Sequence, residues 1–245
     1  MKRKVRVPYF ETGVKCYIYG DPVLELAKAS DEASVRYDVD VLFIAPYVDI
    51  RRIREACPHL VIIAPYMDTL QPGRGMGCVL PEALKEAGAD GVVINHCEHP
   101  MINNRNRPIT MEDIARGIER ARECDLLSFV CCDTVEDAKK IALLKPDILN
   151  PEPSELIGSG TASDMSYVRD VIREVKAVDP EIMVEQAAGI TTAQQIYDFI
   201  MAGSEAAGAA SGLLRAPEPL KLLDEMVKYV RKAKDDLAKL ADGER

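Results

Sequence analysis

The stretch PDILNPEPSELIGSG, residues 146–160, gives the first indication of how this chain folds. It begins with Ile148 and Leu149, and a short apolar run of this kind is typical of a strand buried on both faces of a parallel sheet. It then holds one acid, Glu152, between two prolines and continues into a Gly-Ser-Gly loop. The stretch therefore predicts a buried strand with an acid fixed rigidly at its end.

Seven further apolar stretches lie along the chain, and a charged, amphipathic stretch follows each. The eight predicted strands are VRVPYF (5–10), VDVLFIAPY (39–47), HLVIIAPY (59–66), DGVVINHC (90–97), DLLSFVCC (125–132), PDILNPEP (146–153), EIMVEQAAG (181–189) and EAAGAASG (205–212). The predicted helices are 22–37, 49–56, one from Pro81 to near Gly88, two capped by Thr110 and Thr134, 164–178, 192–201 and 217–241.

Eight strand-then-helix units in 245 residues match a closed (β/α)8 barrel, which typically has about 250 residues. The chain has no linker-like or low-complexity segment. We therefore predict an α/β fold with a single domain, a (β/α)8 barrel over residues 1–245. We expect only about the last ten residues to fray.

The net charge of −9 argues against a broad surface for nucleic acid or for an anionic membrane, although backbone amides can still hold a small anion. No run of about 18 apolar residues suggests a membrane helix, and the start MKRKVRVPYF lacks the apolar core of a signal peptide. The seven cysteines are scattered without a CxxC pair, which favours reduced thiols and a cytoplasmic location. Neighbouring side chains of residues 96–99 point opposite ways on a strand end, so we predict no metal site there.

Functional groups of such a barrel lie in the loops after its strands. Lys15 follows the first strand, His96 the fourth and Glu152 the sixth. A carboxylate base beside a neutral imidazole suits proton abstraction next to a carbonyl, and a lysine ammonium stabilises the enediolate that forms. Glycine-containing turns at Gly189 and Gly212 suit a phosphate held by backbone N–H groups.

These residues lie in stretches that resemble the triosephosphate isomerase family, in the short form typical of archaeal enzymes. VVINHCEH (92–99) resembles the family's xNHSExR stretch, and NPEPSELIGSG (150–160) resembles its A-x-E-P-x-x-x-I-G-T-G catalytic loop. CVLPEALKEAGADGV (78–92), QAAGITTAQQI (186–196) and GAASGLLRA (208–216) resemble the helix before the histidine strand and the two phosphate loops. The resemblance implies a TIM barrel that interconverts D-glyceraldehyde 3-phosphate and dihydroxyacetone phosphate, in glycolysis and gluconeogenesis.

The resemblance also implies roles for individual residues. Glu152 would be the base and His96 the electrophile, and Glu98 would pair with Lys15. Backbone amides of four further residues would face the phosphate: Gly158, Gly189, Ser211 and Gly212. Isomerisation of a small phosphorylated sugar needs neither a metal nor a redox cofactor, and the family's barrels are dimers or, in short archaeal-like forms, tetramers. We therefore expect no cofactor and a homodimer or homotetramer.

The first and third loops depart from the family pattern. The family's first strand reads N-x-K, and here Gly13 stands in place of the asparagine. The family's third loop places a threonine before a glycine, reaching across the dimer interface to that asparagine and lysine, whereas here Met76 precedes Gly77. These departures leave a four-carbon substrate, such as an erythrulose phosphate, open. The sequence also leaves open a non-catalytic barrel that binds a sugar phosphate, and a lyase or epimerase in which Lys15 forms a Schiff base.

Overall fold

Strands and helices alternate along the chain in the computed structural model, which describes residues 1–99 and 109–243. The strands are β1 (Tyr9–Gly13), β2 (Val41–Ile44), β3 (Val61–Ala64), β4 (Gly91–Ile94), β5 (Leu127–Cys132), β6 (Ile148–Pro151), β7 (Met183–Gln186) and β8 (Ala206–Gly208). The helices are α1 (Asp21–Tyr37), α2 (Ile50–Ala56), α3 (Pro81–Ala87), α4 (Met111–Glu123), α5 (Val135–Ala142), α6 (Met165–Val178), α7 (Ala193–Met201), α8 (Ser211–Leu214) and α9 (Pro219–Ala241). Short 3-10 turns lie at Tyr47–Asp49 and Ser154–Leu156.

The strands form one closed parallel sheet. Each strand pairs with the next in sequence, and β8 pairs with β1, where Glu11 lies opposite Gly208. The prediction of a (β/α)8 TIM barrel is therefore confirmed. Because all strands run the same way, the loops that follow them gather at one end of the barrel.

The core has two parts because successive side chains of a strand point to opposite faces. One apolar cluster joins outward-facing strand residues such as Phe43 and Val130 to the helices. The other contains no helix residue and fills the barrel interior, with Tyr9, Leu42 and Phe129 among its members. None of the helices in the described ranges is both long and apolar enough to cross a membrane.

The first strand lies further along the chain than predicted. The sequence pattern predicts residues 5–10, and the structure has Tyr9–Gly13, with all of its residues buried. Proline has no N–H for a sheet ladder, so Pro8 precedes the strand, and Arg6 is exposed and pairs with Asp40. The shift moves Glu11 and Gly13 from the predicted loop into the strand.

The helix boundaries follow the capping residues. The side chains of Thr110, Thr134 and Thr192 each accept a hydrogen bond from the backbone N–H three residues on, as expected for N-caps. The four-residue helix α8 was not predicted, because its sequence SGLL carries no capping signal. Helix α9 continues to Ala241, and the fraying of the chain end stays a prediction.

Candidate active site

A cavity lies at the end of the barrel where the strands finish, and we call it the strand-end cavity. Seven of the eight site residues predicted from the sequence line it: Lys15, His96, Glu152, Gly158, Gly189, Ser211 and Gly212. The eighth, Glu98, pairs with Lys15. Residues that are far apart in sequence thus meet at one place, after strands β1, β4, β6, β7 and β8.

Glu152 directly follows β6 and is 7% exposed. Its backbone N–H donates to the Cys132 carbonyl oxygen at 2.7 Å, which ties the residue to β5. Burial raises the pKa of its carboxyl group to about 7, although the charge of Lys15 and hydrogen bonds from the Asn150 side chain and the Ala187 N–H lower it. A carboxyl group with this pKa can take up and release a proton near neutral pH.

His96 lies in the turn that follows β4. The backbone N–H of Glu98 donates to its Nδ1 at 3.1 Å, so the neutral ring carries its proton on Nε2. Burial and the charge of Lys15 lower the pKa of the imidazole. The ring is therefore a neutral hydrogen-bond donor at physiological pH.

Lys15 has a backbone φ of 44°, in the left-handed region that residues other than glycine rarely adopt. Its Nζ lies 2.9 Å from Glu98 Oε1. Burial lowers the pKa of the Lys15 ammonium group, but the hydrogen bond and charge of Glu98, together with the charges of Glu152 and Tyr17, outweigh burial and raise that pKa. A strained backbone at a functional group is common where the group must be held in place.

The loop after Glu152 is held by hydrogen bonds at both of its ends. At its start the Ser154 N–H donates to Asp133 Oδ1 at 2.5 Å, next to the 3-10 turn. At its end the Ser159 hydroxyl donates to the Leu156 carbonyl oxygen at 2.8 Å, and Gly158 has a φ of 74°. Ile157 lies between these ends and lines the strand-end cavity.

Two glycines on the opposite wall of the strand-end cavity leave its backbone uncovered by side chains. A β-carbon at Gly189 would lie 1.9 Å from the Thr161 carbonyl oxygen, and one at Gly212 would lie 2.1 Å from the Ile190 carbonyl oxygen. No side chain fits at either position, so the backbone itself faces the cavity. The N–H groups in the first turn of a helix have no partner within the helix, and Ser211 and Gly212 begin α8. This wall suits a phosphate.

Two acids and an amide near the site were not assigned a role from the sequence. Asn150 and Glu185 are 3% and 0% exposed, and Glu11 is 5% exposed. The Tyr9 hydroxyl donates to Glu185 Oε2 at 2.7 Å, and burial raises the pKa of Glu185 well above its usual range. In the sequence, Glu11 and Glu185 look like polar residues of strand ends, and no local signal marks them as buried.

The donor set does not suggest a metal. Within residues 1–99 and 109–243, no group of three or more His, Cys, Asp and Glu side chains is arranged to hold a metal ion.

The comparison with known proteins agrees with this geometry. A sequence model of the triosephosphate isomerase family matches residues 12–196. Triosephosphate isomerase from Sulfolobus acidocaldarius is 33% identical over 218 residues, which cover 88% of this chain and 90% of the relative. The enzyme of that name from Methanothermus fervidus is 32% identical over 211 residues, covering 85% and 91%.

Among solved structures, the crystal structure of triosephosphate isomerase from Bartonella henselae matches with a TM-score of 0.72 at 14% identity. The match covers 92% of this chain and 100% of that chain, and it shows the fold. The matched segment, residues 12–196, contains Lys15, His96 and Glu152. The chain belongs to the triosephosphate isomerase family.

Proposed function

We propose that this protein is an aldose–ketose isomerase that interconverts D-glyceraldehyde 3-phosphate and dihydroxyacetone phosphate. The observation that carries the proposal is one cavity in which a buried carboxyl group, a neutral imidazole and an ammonium group meet a wall of backbone amides. Each of these groups matches one requirement of proton transfer next to a carbonyl. The names of the relatives support the same substrate pair.

Glu152 is the base of the proposed reaction. With a pKa of about 7, its carboxylate removes the proton from the carbon next to the carbonyl group and returns it to the neighbouring carbon. A base whose pKa lies near the working pH is both ionised often enough and basic enough to do this. The flanking prolines, at positions 151 and 153, fix its backbone.

His96 and Lys15 stabilise the charge that develops on the substrate oxygens. The Nε2–H of His96 donates a hydrogen bond to the enediolate, since Nδ1 is occupied by the Glu98 N–H. The Lys15 ammonium group adds a positive charge in a partly buried place, where charges act more strongly than in water. Glu98 holds that ammonium group in position.

The substrate phosphate sits against the backbone of Gly189, Ser211 and Gly212 in this proposal. The loop 153–160 acts as a lid, and its Gly158 completes the surroundings of the phosphate. Closure of the lid excludes water from the enediolate, which prevents loss of phosphate.

A four-carbon sugar phosphate is the second candidate substrate, and one observation favours it. A neighbouring cavity shares His96, Glu152 and Ile157 with the strand-end cavity and extends along β5 past Cys131 and Asp133. A longer substrate can enter this space while its reacting carbons stay at the base. The departures from the family pattern at Gly13 and Met76 also favour a substrate other than the three-carbon sugar phosphate.

A Schiff-base enzyme and a non-catalytic barrel have less support. A Schiff base requires a neutral lysine amine, and the raised pKa of Lys15 keeps it protonated. A non-catalytic role leaves unexplained why the pKa of Glu152 is held near neutrality.

We also propose a homodimer or homotetramer in the cytoplasm. The loop after β3 supports an assembly, since it projects Met76 fully into solvent at its tip. Asp68 holds the base of this loop by accepting the Val79 N–H at 2.8 Å. No disulfide joins any of the seven cysteines, all of which lie in the described residues, as expected in a reducing compartment. Light scattering of the purified protein measures the assembly.

Isomerase turnover with D-glyceraldehyde 3-phosphate tests the proposed function. We expect rapid turnover by the wild-type protein and a loss of about 10²–10⁴-fold in Glu152→Gln, which removes the base and keeps its shape. Glu181→Gln is the matched control, because Glu181 is exposed and lies before β7, at the opposite end of the barrel. Turnover of erythrulose phosphate alone would favour the second candidate, and turnover that survives in Glu152→Gln would refute the assigned base.

A further inference from the structure

Glu11 is a buried acid inside the barrel that also faces the strand-end cavity. It lies in the middle of β1, is 5% exposed, and lines the cavity together with Lys15, His96 and Glu152. Among the residues of 1–99 and 109–243, none donates a hydrogen bond to its carboxyl oxygens. A molecule bound in the strand-end cavity can therefore pair with the Glu11 carboxyl group, which faces that space.

Gly208 of β8 makes the room that this carboxyl group occupies, because a β-carbon there would lie 2.3 Å from Glu11 Oε2. Gly13 is the next residue on the same face of β1, and a β-carbon there would make only an ordinary contact of 3.5 Å with Glu11 Oε1. The same β-carbon at Gly208 would also lie 2.7 Å from the Glu11 carbonyl oxygen, so glycine at this position leaves space for both the backbone and the side chain of Glu11.

Several titratable groups face the Glu11 carboxyl group. Glu152 faces it from the end of β6, Glu185 from β7 and Cys131 from β5. Tyr9 and Lys15 face it from its own part of the chain. The residues opposite Glu11 in the ladders are Leu42 of β2 and Gly208 of β8, neither of which titrates.

Burial raises the pKa of the Glu11 carboxyl group to about 8, the charge of Glu152 raises it further in the same direction, and Lys15 opposes them. At neutral pH the group is therefore a carboxylic acid, which can donate one hydrogen bond. Such a donor in a water-poor site stabilises a negative oxygen more strongly than it would in water.

We propose that Glu11 is a further catalytic residue, whose protonated carboxyl group donates a hydrogen bond to the substrate oxygen at the carbonyl end of the bound sugar phosphate. This inference rests on the proposed function and adds a residue to it. The carboxyl group occupies the space beside Gly13, where the family pattern has an asparagine side chain. Glu11 thus restores a donor to a position that Gly13 leaves without one. No proton is transferred from Glu11, so the isomerisation remains balanced by Glu152 alone.

The pH profile of kcat/KM tests this proposal. Because the acid form of Glu11 is the active one, we expect the wild-type rate to fall above about pH 8. Among the described residues that line the strand-end cavity, no other group explains a fall there, since the pKa of Lys15 is raised above 10.5 and His96 is already neutral. The pKa of the Cys97 thiol, which lines the neighbouring cavity, is raised above 9.0. Glu11→Gln keeps a neutral donor of the same shape that cannot ionise, so its profile should lose the alkaline limb.

Two further variants complete the test. Glu11→Ala removes the donor, and we expect a loss of about 10²-fold in kcat/KM near neutral pH. Glu185→Gln is the matched control, because Glu185 is equally buried but does not line the strand-end cavity, and its profile should keep the alkaline limb. Circular dichroism checks that each variant is folded, and if Glu11→Ala is not, the profile of Glu11→Gln decides.

The proposal is overturned if Glu11→Gln retains the wild-type alkaline limb, or if folded Glu11→Ala keeps the wild-type rate. Either result would leave the isomerase function intact, since wild-type turnover and its loss in Glu152→Gln establish that function separately. A wild-type protein without turnover on either candidate sugar phosphate would instead remove the proposed function and this inference together.

Discussion

At the scale of single residues, the site is governed by a balance between burial and charge. Burial alone would push the pKa of Glu152 further up, and Lys15 is the first of the groups that bring it back to about 7. The same ammonium group lowers the pKa of His96 and of Glu11. One lysine thus sets the protonation state of three groups that face the strand-end cavity.

Lys15→Met removes this charge and keeps most of the side chain's volume. We expect both limbs of the kcat/KM profile to move to higher pH, because Glu152 and Glu11 each lose a positive neighbour. In the proposed reaction Glu152 acts as a carboxylate, so we expect the wild-type rate to fall about tenfold per pH unit below pH 7. The rate of the variant should begin to fall at a higher pH. Lys28→Met, on the exposed face of α1, should leave the profile in place, and limbs that stay fixed in Lys15→Met would contradict the argument.

The residues with strong local sequence signals could be predicted. Glu152 stands between two prolines, and His96 stands two residues before Glu98, and both lie in the strand-end cavity as expected. Glu11 and Asn150 could not be given a role, because their surroundings come from strands far away in the sequence. The burial of Glu185 depends on Tyr9, which is 176 residues distant.

At the scale of elements, the contact between β1 and β8 decides whether Glu11 fits. Gly208 is directly opposite Glu11 in the ladder. A β-carbon there would also lie 2.7 Å from the Glu11 carbonyl oxygen, which belongs to the backbone and cannot swing away. The close approach of the two strands therefore requires a residue without a side chain at position 208.

Gly208→Ala should destabilise the barrel by about 1–3 kcal/mol, as overpacking of a dense core usually does. Urea unfolding of the variant and the wild type measures the loss. Gly13→Ala is the matched control on the other side of Glu11, where the shortest contact would be 3.4 Å, to Ile44 Cβ, and we expect a smaller change.

Combination with Glu11→Ala separates the two contacts of Gly208. Removal of the carboxyl group should restore part of the stability lost in Gly208→Ala, since the clash with Oε2 disappears and the clash with the backbone oxygen remains. If the losses of unfolding free energy in Gly208→Ala and Glu11→Ala simply add in the double variant, Gly208 is not needed to make space for the Glu11 carboxyl group.

Most elements could be predicted because their signals are local. The three threonine caps and the apolar runs of the central strands depend on neighbouring residues alone. The predicted position of β1 was wrong by several residues, because its buried part contains Glu11, Thr12 and Gly13, whereas the apolar residues before it are the half-buried Val5 and the exposed Val7. The ladder with β2 and β8, rather than hydrophobicity, sets this strand.

At the scale of the whole molecule, the barrel carries acids in the interior that other cores fill with apolar side chains. Glu11 and Glu185 are both inside the sheet, close to Glu152, and burial raises the pKa of each. A neutral acid costs less to bury than a charged one. The folded chain therefore holds protons at neutral pH that the unfolded chain releases.

This difference makes the free energy of unfolding depend on pH in an unusual direction. Glu185 has a higher pKa in the folded chain than its value of about 4.5 in the unfolded chain. Below pH 4.5 both states are protonated and the fold has its full stability. As the pH rises from there toward the folded pKa, only the unfolded chain releases the proton, and the free energy of unfolding falls. The carboxylates of surface ion pairs, such as Glu174, act in the opposite direction, since their pKa is lowered. The ion-pair carboxylates are fully ionised in both states once the pH is well above 4.5, so their contribution to the free energy of unfolding no longer changes. The buried acids therefore dominate the change in that free energy from mildly acidic to mildly alkaline pH.

Glu185→Gln isolates this effect, because a neutral amide can still pair with the Tyr9 hydroxyl. Relative to the variant, the wild type should lose up to about 1.4 kcal/mol per pH unit between about pH 5 and pH 8, the value for one proton bound only by the folded state. Urea unfolding at several pH values measures the difference, in which the opposing contribution of His96 cancels. Glu181→Gln, an exposed acid, should differ from the wild type by the same amount at every pH. A flat difference for Glu185→Gln as well would mean that Glu185 is ionised in the fold, and that its negative charge is compensated within the barrel.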